Sequence, residues 1–283
     1  MSRLRTYLVL ILLTLINFTY AQRGLSLPFS SFYDENAWLS MGLQYNYVNS
    51  SYKVGLKDNW ASMGIRDVPV NNVRYIDEFT SIQSIVSHGM SVALPIEVRF
   101  TDNLSSSFQP TFTFINSTGV NFKGPDAGGV EKELIRKMRH VGTGGIEGAN
   151  YNAFEFPINI RFRSDEKILK NKFNRYRGYV TGGARYIRWA NIVGEYNEYK
   201  TMIANGTFSN PQMLVMKPGY FAWEAGMGVE IFFPYFRMSP EIKLIQSFGD
   251  VLDRKHILSQ NNPFMTPLDK TFIRNIQFSL IFQ

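Results

Sequence analysis

The stretch Phe154-Glu155-Phe156-Pro157-Ile158-Asn159-Ile160-Arg161-Phe162-Arg163 decides the fold. Phe154, Phe156, Ile158, Ile160 and Phe162 fall on one face of an extended chain, and Glu155, Asn159, Arg161 and Arg163 on the other. Successive side chains of a strand point to opposite faces, so this is a strand with one apolar and one charged side. Seven further segments repeat the pattern. Upstream, Leu39, Met41, Leu43, Tyr45 and Tyr47 oppose Ser40, Gly42, Gln44 and Asn46 within 37–47. Val92, Leu94, Ile96, Val98 and Phe100 oppose Ser91, Ala93, Pro95, Glu97 and Arg99, and Phe108, Phe112 and Phe114 oppose Gln109, Thr111 and Thr113. Downstream, 178–189 sets Val180, Ala184 and Tyr186 against Thr181, Gly183 and Arg185. Phe221, Trp223, Met227, Val229 and Ile231 oppose Glu224 and Glu230, and Phe236, Met238, Ile242 and Leu244 oppose Arg237, Ser239, Glu241 and Lys243. The last segment sets Ile276, Phe278, Leu280 and Phe282 against Asn275, Gln277, Ser279 and Gln283.

The connections alternate in length. Asp102-Asn103 and Phe233-Pro234-Tyr235 are tight turns, and 164–176 is a medium polar loop carrying Lys167, Lys170, Lys172 and Arg175. The connections 48–88, 118–150, 191–218 and 247–271 are long. Outer-membrane barrels have short periplasmic turns, long outward loops and strands of about 9–11 tilted residues. The expectation is therefore an all-β fold, an eight-stranded antiparallel transmembrane β-barrel with long extracellular loops, over 37–283. With an even strand number both termini fall on the periplasmic side, and 22–36 form a periplasmic N-terminal segment. Pro95, Pro157 and Pro240 dissent, because proline cannot donate to a ladder; a bulge or the end of a paired region accommodates each.

The first residues point to export. Arg3 and Arg5 precede an apolar run from Tyr7 to Phe18, followed by Thr19-Tyr20-Ala21. A basic start, a short apolar run and a small residue at the cleavage point describe a secretory signal, expected over 1–21 with Gln22 as the mature start. The run is too short for a spanning helix, which needs about 20 residues. The sequence has no Cys, so disulfide and thiolate chemistry are excluded. Aromatic residues make up 15% and charged residues only 19%. The net charge of +7 comes from scattered basic residues, two of them in the leader. It reads as solvated or lumenal charge with some contribution near anionic lipid, and nucleic acid is not an expected partner.

A midplane Arg or Lys on a lipid-facing wall costs about 2–4 kcal/mol. The mixed charges must therefore face inward: Glu97, Arg99, Glu155, Arg161, Arg163, Arg185, Glu224, Glu230, Glu241 and Lys243. An eight-stranded barrel is just wide enough for side chains to fill, so these ten are expected to form a packed, paired plug and not an open pore.

Catalytic signals are weak. Of the three His, His140 and His256 sit in long loops and His88 lies at a strand edge, without the spacing of a zinc site. Ser87-His88-Ser91 is a poor match to a Ser–His–acid set of the kind some outer-membrane lipid hydrolases carry. Gly142-Thr143-Gly144-Gly145-Ile146-Glu147-Gly148 lacks the Lys-Ser/Thr of a phosphate loop and reads as an outward loop. No catalytic residue, metal or cofactor is expected. A short helix is expected over Val130–His140, where the helical pattern Glu131–Arg139 is the best docking candidate outside the barrel.

Several stretches resemble the PorT family: Glu155-Phe156-Pro157-Ile158, Arg161-Phe162-Arg163-Ser164 and Arg177-Gly178-Tyr179-Val180-Thr181-Gly182-Gly183-Ala184, with Ser239-Pro240-Glu241-Ile242-Lys243. Leu27-Pro28-Phe29 with Asp34, and Asn262-Pro263-Phe264 with the closing Phe278-Ser279-Leu280-Ile281-Phe282, are similar too. PorT-like proteins are small outer-membrane barrels of the Bacteroidetes, required for type IX secretion and, in gliding species, for motility. The resemblance implies a secretion-system component without catalytic residues. Its partners would be outer-membrane lipid, the barrel-assembly machinery during biogenesis, and other secretion subunits. Lys167, Lys170, Lys172 and Arg175 would be a contact loop toward those subunits. The alternatives are a general barrel for adhesion or envelope integrity and, further off, a lipid-modifying enzyme.

Overall fold

The computed structural model describes residues 25–30, 33–66, 74–115, 118–138, 151–168, 175–205, 213–260 and 262–283. The expected leader, Gln22, His140, the glycine-rich 142–148, Lys170 and Lys172 lie outside them. In chain order the strands are β1 (Leu25–Ser26), β2 (Leu39–Met41), β3 (Leu43–Leu56), β4 (Ile65–Arg66), β5 (Arg74–Ile76), β6 (Ser81–Ile85), β7 (Ser87–Ala93), β8 (Ile96–Arg99) and β9 (Leu104–Phe108). They continue as β10 (Thr111–Ile115), β11 (Gly119–Pro125), β12 (Glu131–Lys137), β13 (Tyr151–Arg163), β14 (Lys167–Ile168), β15 (Arg175–Trp189), β16 (Gly219–Phe233), β17 (Phe236–Ser247) and β18 (Leu268–Phe282). The helix α1 spans Ile192–Ala204.

Thirteen strands share one sheet, and its pairing returns on itself. From β13 the ladder runs through β10, β7, β3, β18, β17, β16 and β15, and β15 pairs with β13 again. These pairings are antiparallel; the parallel exception in the sheet is the short β1–β2 contact. The count exceeds the eight uninterrupted strands expected, because three segments are each broken in two and the short β1 and β14 pair at the edges. Gly42 parts β2 from β3, Leu94-Pro95 parts β7 from β8, and Gln109-Pro110 parts β9 from β10. The breaks line up across neighbouring strands. Gly42 N–H donates to Pro95 O at 3.0 Å, Leu94 N–H to Pro110 O at 3.1 Å and Gln109 N–H to Pro157 O at 3.2 Å. Each proline lacks a donor, so the ladder opens at its level and the preceding carbonyl ladder is carried by a single bond. Pro240 has a like effect inside β17: the β16 pairing lapses between Gly228–Glu241 and Ile231–Met238 and resumes in the same register.

The alternation expected from the sequence sets the two faces. Gln44, Asn46, Glu97, Thr111, Asn159, Arg161, Glu224 and Lys243 are buried inside the closed sheet, while Tyr45, Phe154, Ile158, Phe162, Met227 and Phe278 are exposed outside it. Gly228 occupies an inward position, where a Cβ would strike the Tyr179 hydroxyl.

The long connections are not loose. β6, β11 and β12 form a three-stranded sheet, β4 pairs with β5, and α1 packs beside Met213–Met216. Phe79, Phe122, Tyr196, Leu214, Leu252, Phe264 and Leu268 bury a common apolar core there, with the Phe122 and Phe264 ring centroids 5.5 Å apart. This cap sits on the end of the closed sheet from which the long connections leave. The helix expected over Val130–His140 is instead β12, paired with β11 from Glu131 to Lys137. The turn at Asp126 explains the difference. The Asp126 carboxylate accepts from Gly128 N (2.9 Å) and Val130 N (3.0 Å), Gly129 takes a left-handed φ of 78°, and Lys123 meets Glu133 across the strands at 3.3 Å. These local bonds start a hairpin, and its cross-strand charge pairs outweigh the helical spacing.

At the other end the N-terminal residues lie across the mouth. Phe29 N–H donates to Tyr235 O at 3.0 Å, and its ring packs tilted against that of Phe236, centroids 4.5 Å apart.

Candidate functional site: the charged interior

The inward faces of β8, β13, β15, β16 and β17 bring five carboxylates and six cations into one buried volume. Nearest the mouth, Glu97 and Glu230 bind Arg161, Arg163 and Arg237, and Glu230 also binds Arg177. Arg161 Nη1 lies 3.1 Å from Glu97 and 3.3 Å from Glu230, Arg163 Nε is 2.9 Å from Glu230, and Arg237 Nη2 is 3.2 Å from Glu97. Arg163 also pairs with Glu97, and Arg177 with Glu230. One layer deeper, Arg161 Nη2 reaches Glu241 at 3.3 Å, and the guanidinium stacks 4.2 Å over the Tyr179 ring. The Tyr179 hydroxyl donates to the same carboxylate at 3.0 Å.

Lys243 continues the chain. Its Nζ lies 3.0 Å from Glu241, 3.3 Å from Glu224 and 3.1 Å from Gln109 Oε1. Arg185 binds Glu224 and Glu155, and Asn159 Nδ2 donates to Glu224 at 2.6 Å. Above these come the amides and hydroxyls of Gln44, Asn46 and Ser91, and then an apolar layer of Tyr52, Ile187, Trp189, Tyr220, Ile245 and Ile273 that merges with the cap. Desolvating an ion costs several kcal/mol, which only close multiple pairing offsets. Nearly every guanidinium here meets two or more partners, as that demands. The cavity beside Tyr33, Glu35, Glu97 and Arg237 holds about 10 Å³, room for one water at most.

Nine of the ten residues expected inside lie in this network. Arg99 does not: it stands at the mouth, where Nη2 meets Asp102 at 2.9 Å and Nη1 donates to Glu35 O at 3.0 Å. Its place on the polar side of β8 is right, but it is one step past the last buried level. The sequence list omits Arg177, Arg237 and Tyr179. The signal was present, because stepping back by twos from Arg185 reaches Tyr179 and Arg177, and Arg237 is two before Ser239. Of the proposed contact loop, Lys167 is exposed, but Arg175 is held by Glu35 and by Glu166 (3.0 Å), which ties the loop to the N-terminal segment.

The weak Ser–His match is pulled apart. Ser87 and Ser91 point inward, whereas His88 points outward, its Nδ1 2.5 Å from the Tyr47 hydroxyl. His256 caps a short turn in the cap by accepting from Leu258 N at 3.2 Å. Among the described residues no group of three or more His, Cys, Asp or Glu is placed to hold a metal ion. One hollow of about 900 Å³ is a groove on the outer wall between Phe162, Val180, Met227, Ile242 and Phe278, not a chamber within.

No family model and no curated protein match the chain. Among solved structures, Ail, the attachment invasion locus protein of Yersinia pestis, is 8% identical, with 86% of this chain and 96% of that chain covered and a TM-score of 0.30. The same protein in complex with the heparin analogue sucrose octasulfate gives 0.27. The outer membrane protein OprG of Pseudomonas aeruginosa is 10% identical, with 85% of this chain and 94% of that chain covered and a TM-score of 0.31. Likeness at that level carries no argument, and the functional reading rests on the chain's own surfaces.

Proposed function

We propose that the chain is an eight-stranded β-barrel of an outer membrane, counting each broken strand as one, and that it acts by contact and not by conduction or turnover. One observation carries this: the polarity of the closed sheet is inverted. Ionised side chains fill the inside, while Ile158 (61% exposed), Phe162 (57%), Met227 (61%) and Phe278 (50%) stand on the outside among many others. Soluble monomers rarely expose an apolar patch beyond a few hundred Å². In a bilayer the same wall is solvated, and closure of the ladder pairs the backbone groups that lipid cannot. The cap then faces outward and the Phe29–Phe236 mouth faces the periplasm. A packed interior favours an anchoring or assembly role over a channel.

The resemblance to PorT-like proteins supports assigning that role to type IX secretion. Lys167 and the neighbouring loop would meet periplasmic subunits. The alternative, a general envelope or adhesion barrel, is favoured by the folded cap, which is a built outward surface. A clean deletion followed by proteomics of culture fluid and cell surface separates them. Under the secretion reading, cargo with type IX sorting domains accumulates in the periplasm while other barrels stay intact. Normal cargo release with a fragile or less adhesive envelope removes the secretion role and leaves the barrel.

A further inference from the structure

Interior charges are paired, but one group of cations on the outer wall is not. Moving toward the cap, the outward positions of β18 are Leu280, Phe278, Ile276, Arg274, Phe272 and Lys270, and those of β3 are Tyr45, Tyr47, Asn49, Ser51 and Lys53. Arg274 lies opposite Ser51, Lys53 opposite Phe272, and the Lys270 backbone against Gly55. Diagonal neighbours on one sheet face stand about 7–8 Å apart, so Lys53 sits beside Arg274, and Lys270 follows on the same strand as Arg274 in the register shift between Leu268 and Thr271. All three are exposed. Arg274 Nε and Nη2 are aimed by the neutral Gln246 Oε1 at 3.2 and 3.1 Å, and no carboxylate among the described residues forms an ion pair with any of the three. The contrast with nearby Arg254, paired to Asp250 at 3.0 Å, is plain.

The patch lies immediately above the apolar belt of Tyr47, Ile276 and Phe278. On the outer-membrane reading, on which this inference rests, that level is the headgroup plane of the outer leaflet. We propose that Lys53, Lys270 and Arg274 bind the phosphate groups of an anionic outer-leaflet lipid, the phosphorylated glucosamine headgroup of lipid A. Guanidinium and ammonium groups donate charge-assisted bonds to phosphate oxygens. Lysine stems run along apolar surface while their heads reach the interface. A ligand joining phosphate to acyl chains matches both halves of the surface at once, the cations above and the aromatic belt below. A free anion would use only the upper half.

The test uses the full chain refolded into phosphatidylcholine nanodiscs doped with bisphosphorylated or with dephosphorylated lipid A, and native mass spectrometry of the lipid retained. The expected result is at least about tenfold enrichment of the phosphorylated form, in line with the attraction of several basic residues to an anionic surface. The variant K53Q/K270Q/R274Q should fall to parity, while K123Q/K132Q in the cap keeps the enrichment. Retained enrichment in the triple variant overturns the proposal. So does loss of enrichment on adding millimolar inorganic phosphate to the wild type, which would make the patch a site for the free ion. Insertion into discs without enrichment sinks this inference alone; failure to insert at all sinks the membrane reading with it.

Discussion

Glu230 shows what a single residue does in this interior. Its two oxygens serve Arg161, Arg163, Arg177 and Arg237, contributed by three different strands. Removing one partner of a buried pair leaves the others desolvated and unpaired, at a cost of about 3–5 kcal/mol. E230A is therefore expected to lower stability by about that amount, read as a shift in the urea midpoint of the chain refolded in lipid vesicles. E230Q, which keeps the shape and some hydrogen bonding, should lose less. An unchanged midpoint for E230A would show that water already screens these charges. At this scale the sequence was informative. Alternation marked Glu230 and two of its partners, Arg161 and Arg163, as inward because charge on a lipid-facing wall is costly, while Arg177 lay before the segment it was read over. It could not mark where the interior ends, so Arg99 was counted inside although it lies at the mouth, bonded to Asp102 and Glu35.

The elements divide by what sets them. Strand faces follow from period two, which is local, and β13, β16 and β18 carry the expected sides. Breaks follow from donors missing at Pro95, Pro110 and Pro157, and their alignment depends on cross-strand register, which the sequence does not display. The cap was illegible for a related reason. Phe79, Phe122, Leu214, Leu252 and Phe264 come from separate connections and share no period, so only the folded chain brings them together. The β11–β12 hairpin turns on local chemistry and gives a pH prediction. Hydrogen bonds from the Val130 and Gly128 amides, with Lys132 nearby, hold the Asp126 carboxyl below its ordinary value. A depressed folded-state pKa stabilises the turn above the unfolded carboxylate pKa, about 3.9, and that stabilisation is lost as the pH falls through the folded value. The protection factor of the Val130 amide should be high and flat around neutral pH, and the turn should open as the carboxylate protonates below pH about 4. D126N should exchange faster at neutral pH and lose the acid transition. A transition that persists in D126N would assign it to another group.

For the whole molecule, two closures must be ranked. The N-terminal segment crosses the mouth, held by Phe29 on Phe236 and by the Glu35–Arg175 pair, while the charge network fills the space behind it. Either could be the barrier to solute. The network fills an interior only wide enough for side chains, and Arg161 reaches Glu97, Glu230 and Glu241 from one position on β13. Removing the segment exposes Glu97 and Arg237 but leaves those cross-bracing pairs in place. Truncating residues 22–36 is therefore expected to leave planar-bilayer current at background. Removing the bracing as well, with R161A/E230A in the truncated chain, should admit water and small ions and give flickering conductance. Discrete, stable channels from truncation alone would make the segment the gate, and the chain would then be a closed pore opened by a periplasmic partner.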